Sequence, residues 1–379
     1  MLKTCRTFLK DVFFDIPNSH RIKNTILSLI RDQKLISIKP NYFRTHRNYY
    51  IINREPLIIH TTENINDIQV FSEIIGKDRR AVFLVSFWWT LFDGPNTIQQ
   101  IIKSYRFHQD KYHHHKILFL LNNLDESREF KKNSIPCKFI HQNALVDSNI
   151  FKPISISKTY DIIYNARLDS MKRHYLLKDC RNIGLISGYV MNIDRSKEEY
   201  LNELKKNIHH AFMINSNQPT SLENFNYDMG IQLLKSSEVN IAINRSRVGV
   251  ILSSKEGACY ASIEYLLAGI PVVSTKNIGG RDYFLDKRFC RIVPSKPKAI
   301  KNAVDELISL NIAPSFIREE TIKKINPHVQ KLRNLFRELL KMDKQNKNDF
   351  DTFWENIYIN KMIKYSQPYP KYFIHDIDS

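Results

Sequence analysis

VGVILSSKEGACYASIEYLLAGIPVVSTKNIGGRDY, residues 248–283, reads as a β–α–β unit. An apolar run closes at Ser253-Ser254, a helical pattern covers 259–268, and a second apolar run covers 271–275, each bounded by turn residues. Two parallel strands joined by a helix are the building block of α/β domains. The free amides from Ala258 to Tyr260 open that helix, and with its dipole behind them they form an anion site. Gly257 has no Cβ to hold an anion off the backbone. Glu256 precedes the helix, where it can accept hydrogen bonds from polyol hydroxyls, and Glu264 lies two turns along, within reach of a second set. Phosphates flanked by two hydroxyl-rich ends describe a nucleotide sugar.

Outward from this unit the alternation continues in both directions. Strands are expected at 56–61, 81–87, 116–121 and 137–141, with helices at 66–76 and 96–110. After a Pro- and Ser-containing linker at 149–158, strands follow at 160–165, 183–189, 210–214, 248–252, 271–275 and 290–293. Helices are expected at 169–180, 197–207, 227–237, 259–268, 297–310 and 315–341. The reading is α/β, with two facing doubly wound, Rossmann-like domains at 1–154 and 155–345. Residues 346–379, with an amphipathic stretch at 350–365, are expected to pack back across both. Open α/β sheets bind ligands beyond the carboxyl ends of their strands, so the cleft between the domains is the expected site.

The spacing of Glu256 and Glu264, AGIPVV at 268–273 and the Gly279-Gly280 pair together resemble the donor-binding segment of the family 4, group 1 type glycosyltransferases, which have the GT-B fold. YDIIYNARLDSMKRH at 160–174 adds Arg167 and Lys172, which match by place and spacing an Arg and a Lys that contact the donor diphosphate in that family. Cations fixed where a departing diphosphate gathers charge would stabilise it. The resemblance covers 160–310 and hardly touches the first domain. The acceptor-side glycine loop of many relatives has no counterpart, and GGRDY puts Asp282 and Tyr283 where an acidic residue usually follows the glycines directly. It implies retaining, metal-independent transfer from a nucleotide-diphosphate sugar to a hydroxyl of a glycan or lipid-linked acceptor, with no cofactor. Glu256, Arg167 and Lys172 would be catalytic, and Gly257, Ala258, Cys259, Tyr260, Glu264, Gly279 and Gly280 would bind the donor.

Composition narrows the alternatives. The chain has 379 residues, 42% hydrophobic, a formal charge of +18 and only 10 glycines, which excludes disorder and suffices for two cores. The longest apolar run, Ala81–Phe92, is interrupted by Ser86 and Thr90 and falls short of the roughly 20 residues that cross a bilayer. Charges at Lys3, Arg6, Lys10 and Asp11 break any signal-peptide pattern. Cys5, Cys137, Cys180, Cys259 and Cys290 form no CxxC pair, as expected of reduced thiols. The basic excess is shared by both halves and no nucleic-acid motif accompanies it, so no nucleic-acid partner is expected. It suits a polyphosphate donor and an anionic membrane surface. A cytoplasmic protein, peripheral on the inner face of the cell membrane, is therefore expected. The Ile-, Asn- and Lys-rich composition fits a bacterium, and the expected role is surface polysaccharide (lipopolysaccharide or capsule) assembly. The rivals are another GT-B phosphosugar enzyme and a non-catalytic basic polyanion or nucleic-acid binder.

On the acceptor side, His60 ends an apolar strand, and Trp88 and Asp93 follow the next one. His113-His114-His115 reads as a solvated loop, since adjacent residues do not converge on one ion. Asp376 and Asp378 read as a chance pair, and no metal is expected.

Overall fold

The computed structural model describes residues 46–62, 64–94, 97–188, 195–341, 347–357, 361–362, 364–368, 373 and 377. Cys5 and the charged N-terminal segment, Asp376 and Asp378 lie outside the described residues.

The first sheet contains β1 (His46–Arg54), β2 (Leu57–Thr61), β3 (Ala81–Ser86), β4 (His115–Leu121), β5 (Cys137–Phe139) and the late strand β13 (Lys364–Pro368), ordered β13-β1-β2-β3-β4-β5. β2 to β5 are parallel, and β1 runs antiparallel to both its neighbours. Every residue of β2 is buried, as happens when both faces of a parallel sheet are covered. Side chains alternate along a strand, and here the two sets meet different partners. Ile59, Phe83, Val85 and Phe119 pack against α1 (Ile65–Ile75), α2 (Thr97–Lys111) and α3 (Leu124–Lys132) through Ile68, Phe71, Ile102 and Phe130. Ile58, Leu84 and Leu120 pack against Leu332, Leu335, Phe336 and Phe350 from far along the chain.

The second sheet contains β6 (Tyr160–Asn165), β7 (Ile183–Ile186), β8 (Phe212–Met213), β9 (Thr220–Ser221), β10 (Ser246–Ile251), β11 (Val272–Thr275) and β12 (Cys290–Val293), ordered β12-β11-β10-β6-β7-β8-β9. Apart from the antiparallel β9, this is the 3-2-1-4-5-6 order of a dinucleotide-type sheet, and the direction of winding reverses between β6 and β10. α4 (Arg195–Ile208), α5 (Ser236–Asn244), α6 (Tyr260–Leu267) and α7 (Pro297–Leu310) connect and cover these strands.

The bridge between the domains differs from the expected one. α8 (Pro314–Leu340) contains Pro327. Before the proline its Ile317 and Ile325 lie in the second domain's core. Beyond it Leu332, Leu335 and Phe336 lie in the first domain's core. The crossing is thus made within 314–340, ahead of the expected boundary at 346. Residues 346–379 are more than one helix: α9 (Lys347–Asn356) packs on the first domain, and β13 then adds to its sheet.

Two expected helices are also corrected. The span 169–180 forms two short 3-10 turns, Ser170–Lys172 and His174–Leu177, separated by Arg173 at φ 54°. In 227–237 only Tyr227–Met229 turns, because Gly230 at φ 73° stops it, and α5 starts at Ser236. Among the described residues no helix is long and apolar enough to cross a membrane.

Candidate functional site

The carboxyl ends of β6 and β10 bring together the segments that carry Lys172 and Glu256. The Lys172 ammonium contacts Glu256 Oε1 directly, and Ser253 Oγ donates to the same oxygen at 2.8 Å. The pair is mostly enclosed, with 20% and 12% of the two side chains exposed. Asp169 caps the 3-10 turn that presents Lys172, accepting from Met171 N at 2.9 Å. Tyr164 Oη donates to the Lys172 carbonyl at 2.6 Å and so ties that turn to β6. Arg167 is exposed and makes no hydrogen bond or ion pair among the described residues; it is held on the same loop beside Gly188.

Two arginines that the sequence reading passed over hold the loop leading to Glu256. The Arg173 Nε donates to the Leu252 carbonyl at 2.6 Å and its Nη2 to Thr275 Oγ1 at 2.7 Å. Arg281 is fully buried; it donates to the Ser253 carbonyl at 2.6 Å, to the Thr275 carbonyl and to Asp282 at 2.8 Å. Guanidinium groups can bridge several carbonyls at once because their donors lie in a rigid fork. The RD dipeptide after the glycines was the available signal for Arg281. For Arg173 there was none, since its role depends on a left-handed backbone.

The free amides that lead into α6 are taken by a neighbour. Gly257 N and Ala258 N both donate to the Trp88 carbonyl of the first domain, at 3.2 Å each. That oxygen carries the partial negative charge a phosphate oxygen would supply. A Cβ on Gly257 would collide with the Trp89 carbonyl, one on Gly279 would come within 2.8 Å of Thr90 Cβ, and one on Gly280 within 2.7 Å of the Asn122 carbonyl carbon. Gly257 and Gly280 therefore admit the first domain's backbone, while Gly279 admits the Thr90 side chain and, more closely, the Glu256 carbonyl of its own domain. Gly249 instead makes room for the Tyr265 ring, and Gly269 at φ 76° turns the chain after α6. Glycine enrichment here marks interdomain contact and internal packing. Cys259 and Tyr260 are half-buried at the helix start, and burial pushes the Cys259 thiol up to about 11.

Glu264 is buried, with one partner at each carboxylate oxygen. Asn165 Nδ2 donates to its Oε2 at 3.3 Å, and Lys361 Nζ lies 2.9 Å from its Oε1. Further contacts close the seam between the domains. Asp93 pairs with Lys255 at 2.7 Å, and Asn143 Nδ2 donates to the Cys259 carbonyl at 3.1 Å. His141 accepts from Asn143 N through Nδ1, so its Nε2 carries the proton and donates to the Gly280 carbonyl at 2.9 Å. Burial lowers His141 to about 3, which keeps it neutral.

Trp88 and Asp93 lie on the cleft-facing loop after β3. That loop is fixed by Glu126, which accepts from Thr90 Oγ1 at 2.9 Å and Leu91 N at 2.8 Å. His60 does not reach the cleft. It is completely buried, with Nδ1 2.6 Å from the Met362 carbonyl and Nε2 2.9 Å from Ser86 Oγ. The expectation that it faces an acceptor is corrected: its ring is spent tying the late chain segment to the sheet. His113 and His114 are exposed in a turn, whereas His115 is buried in β4.

Two facing α/β domains, with the second domain's switch point against the first, define a GT-B protein. A sucrose-phosphate synthase from Thermosynechococcus elongatus shares this fold, with TM-score 0.53 and 12% identity over 76% of this chain and 74% of that chain. Similar structures also include a glycosyltransferase from Rickettsia africae, with TM-score 0.49 and 17% identity over 76% of this chain and 77% of that chain. The Anabaena protein HepE in complex with UDP gives TM-score 0.48 and 14% identity over 69% of this chain and 72% of that chain. Residues 222–324, which hold Glu256, Glu264 and the glycine pair, match the family model of the glycosyl transferases group 1. No match was found among curated proteins.

Proposed function

We propose that the protein is a retaining glycosyltransferase that moves a sugar from a nucleotide-diphosphate sugar to a hydroxyl of a glycan or lipid-linked glycan, in bacterial surface polysaccharide assembly. The observation that carries this reading is the Lys172–Glu256 contact at the β6/β10 switch point, inside a GT-B cleft. On this reading Glu256 accepts hydrogen bonds from the donor sugar, the amides of Gly257 to Tyr260 take the phosphates, and Glu264 takes the ribose. As the bond between the anomeric carbon and the diphosphate oxygen breaks, its electrons stay on the phosphate. Lys172 and Arg167 neutralise that charge while the acceptor oxygen bonds to carbon and passes its proton to the departing phosphate oxygen.

In the closed arrangement Trp88 caps the Gly257 and Ala258 amides and Lys172 rests on Glu256. Donor entry then exchanges each internal contact for an equivalent one to phosphate or sugar, with the domains parting at the glycines. No metal ion or other cofactor is part of the proposal, and the basic surface suits peripheral attachment to an anionic membrane.

The test is release of free nucleotide from a panel of UDP-, GDP- and ADP-sugars, with Glu256→Ala and Lys172→Ala alongside wild type. Turnover of one donor by wild type and its loss in both variants is expected. Near wild-type turnover in either variant sinks the assignment. Product anomers read by NMR test retention, and loss of activity in EDTA with recovery in manganese overturns metal independence.

A further inference from the structure

The late chain segment contributes one side chain to the second domain. Lys361 N donates to the Leu145 carbonyl at 2.7 Å, the Met362 carbonyl is held by His60, and β13 then joins β1. The backbone of 361–362 is therefore fastened to the first domain. From there the Lys361 ammonium reaches across to α6. It sits 2.9 Å from Glu264 Oε1 and 4.7 Å from the centre of the Tyr260 ring. Tyr260 and Glu264 are one turn apart and share a helix face, so carboxylate and ring together form the seat for the cation.

The pair is buried, with 17% of Lys361 and 4% of Glu264 exposed. It thus falls outside the class of surface pairs that contribute little. A carboxylate so enclosed is costly unless a cation and hydrogen bonds compensate it. Asn165 supplies one bond and Lys361 the charge. A carboxylate that receives a vicinal diol offers one oxygen to each hydroxyl, and each Glu264 oxygen keeps a second lone pair after these bonds.

We infer that Lys361 is a positioning residue of the donor site, holding the Glu264 carboxylate oriented for the ribose hydroxyls of a ribonucleotide. A residue outside both sets of sheet-crossing helices thus governs ribose recognition. Because Lys361 is fastened to the first domain and Glu264 belongs to the second, the pair spans the seam between the domains. The inference rests on the proposed ribose role of Glu264.

The test uses the full chain and measures binding of UDP, GDP and their 2′-deoxy forms by calorimetry, with Lys361→Ala, Lys361→Arg and Glu264→Gln. Wild type is expected to prefer the ribo form. Lys361→Ala should weaken ribonucleotide binding about tenfold, the scale of one lost charge-assisted hydrogen bond, and leave the deoxy form nearly unchanged, so that the preference collapses as it does in Glu264→Gln. Lys361→Arg should restore most of it. With the donor found in the nucleotide-release screen, Lys361→Ala should raise KM more than it lowers kcat. Cooperative thermal unfolding of each variant shows that it is folded. A wild-type ribo preference kept intact in Lys361→Ala overturns the inference while leaving the proposed function standing, and so does tighter binding in that variant, which would make the lysine a plug. Wild type that binds none of the four nucleotides and releases none from the nucleotide-sugar panel overturns both.

Discussion

Lys172 and Glu256, 84 residues apart in sequence, meet as an ion pair where the second sheet reverses its winding. Each serves as the other's counter-charge. Lys172→Ala should cut kcat by about 10²–10³-fold, the range for losing one group that stabilises developing charge. Its cost in stability should be only about 1–2 kcal/mol, between an exposed and a fully buried pair. Nucleotide release and thermal unfolding measured on the same preparation check this; a large fall in unfolding temperature would reassign the lysine to structure.

Gly257 is expected to be the least replaceable glycine. In Gly257→Ala the new Cβ collides with the Trp89 carbonyl, and neither backbone can give way cheaply, so the strain should be about 1–3 kcal/mol. The domains should then part at this seam. Small-angle scattering should show a larger radius of gyration than wild type, and an unchanged profile counts against the seam.

Acid should weaken the protein before its carboxylates titrate. Burial lowers His60 to about 4, His141 to about 3 and His328 to about 4. Unfolded, each returns to about 6.5. Between these values the unfolded chain binds more protons than the folded one, so stability rises with pH. It is complete above about 6.5 and is lost as pH falls toward about 4, by up to about 1.4 kcal/mol per pH unit for each histidine. Denaturant unfolding at several pH values between 7 and 4.5 checks this, and a flat profile contradicts it.

Phe336 should behave as a core residue of the first domain although it follows the second in sequence. It is buried against Ile58, Leu84 and Leu120, and Phe336→Ala should cost about 3–5 kcal/mol. Chemical denaturation measures the loss. A cost below about 1 kcal/mol would mean the α8 end is a loose cover, since surface substitutions rarely exceed about half of that.

The β–α–β unit at 248–283 was legible because its apolar runs, turn residues and carboxylate spacing all agree. Lys172 was legible through the strand before it. The segment His46–Arg54 was not read as a strand because its polar residues mask an antiparallel partner that lies far along the chain. α3, LDESREFKK, was missed because it buries only Phe130 as an apolar anchor, Leu124 being exposed, and its cap is a single Asn123. Arg173 and Gly230 broke expected helices through backbone conformations that periodicity does not encode. Lys361 and the Trp88 carbonyl reach the site by tertiary contact alone, and an oxygen of the main chain leaves no mark in a sequence.

The crossing of α8 also sets an order of assembly. The first sheet's parallel strands are complete in the nascent chain by residue 139, yet one of its faces awaits residues 332–357. At a synthesis rate of about 5–20 residues per second, that face stays uncovered on the ribosome for roughly 10–40 s. The domain made first is therefore the one finished last, and the exposed Ile58, Leu84 and Leu120 surface is where a chaperone would hold the growing chain.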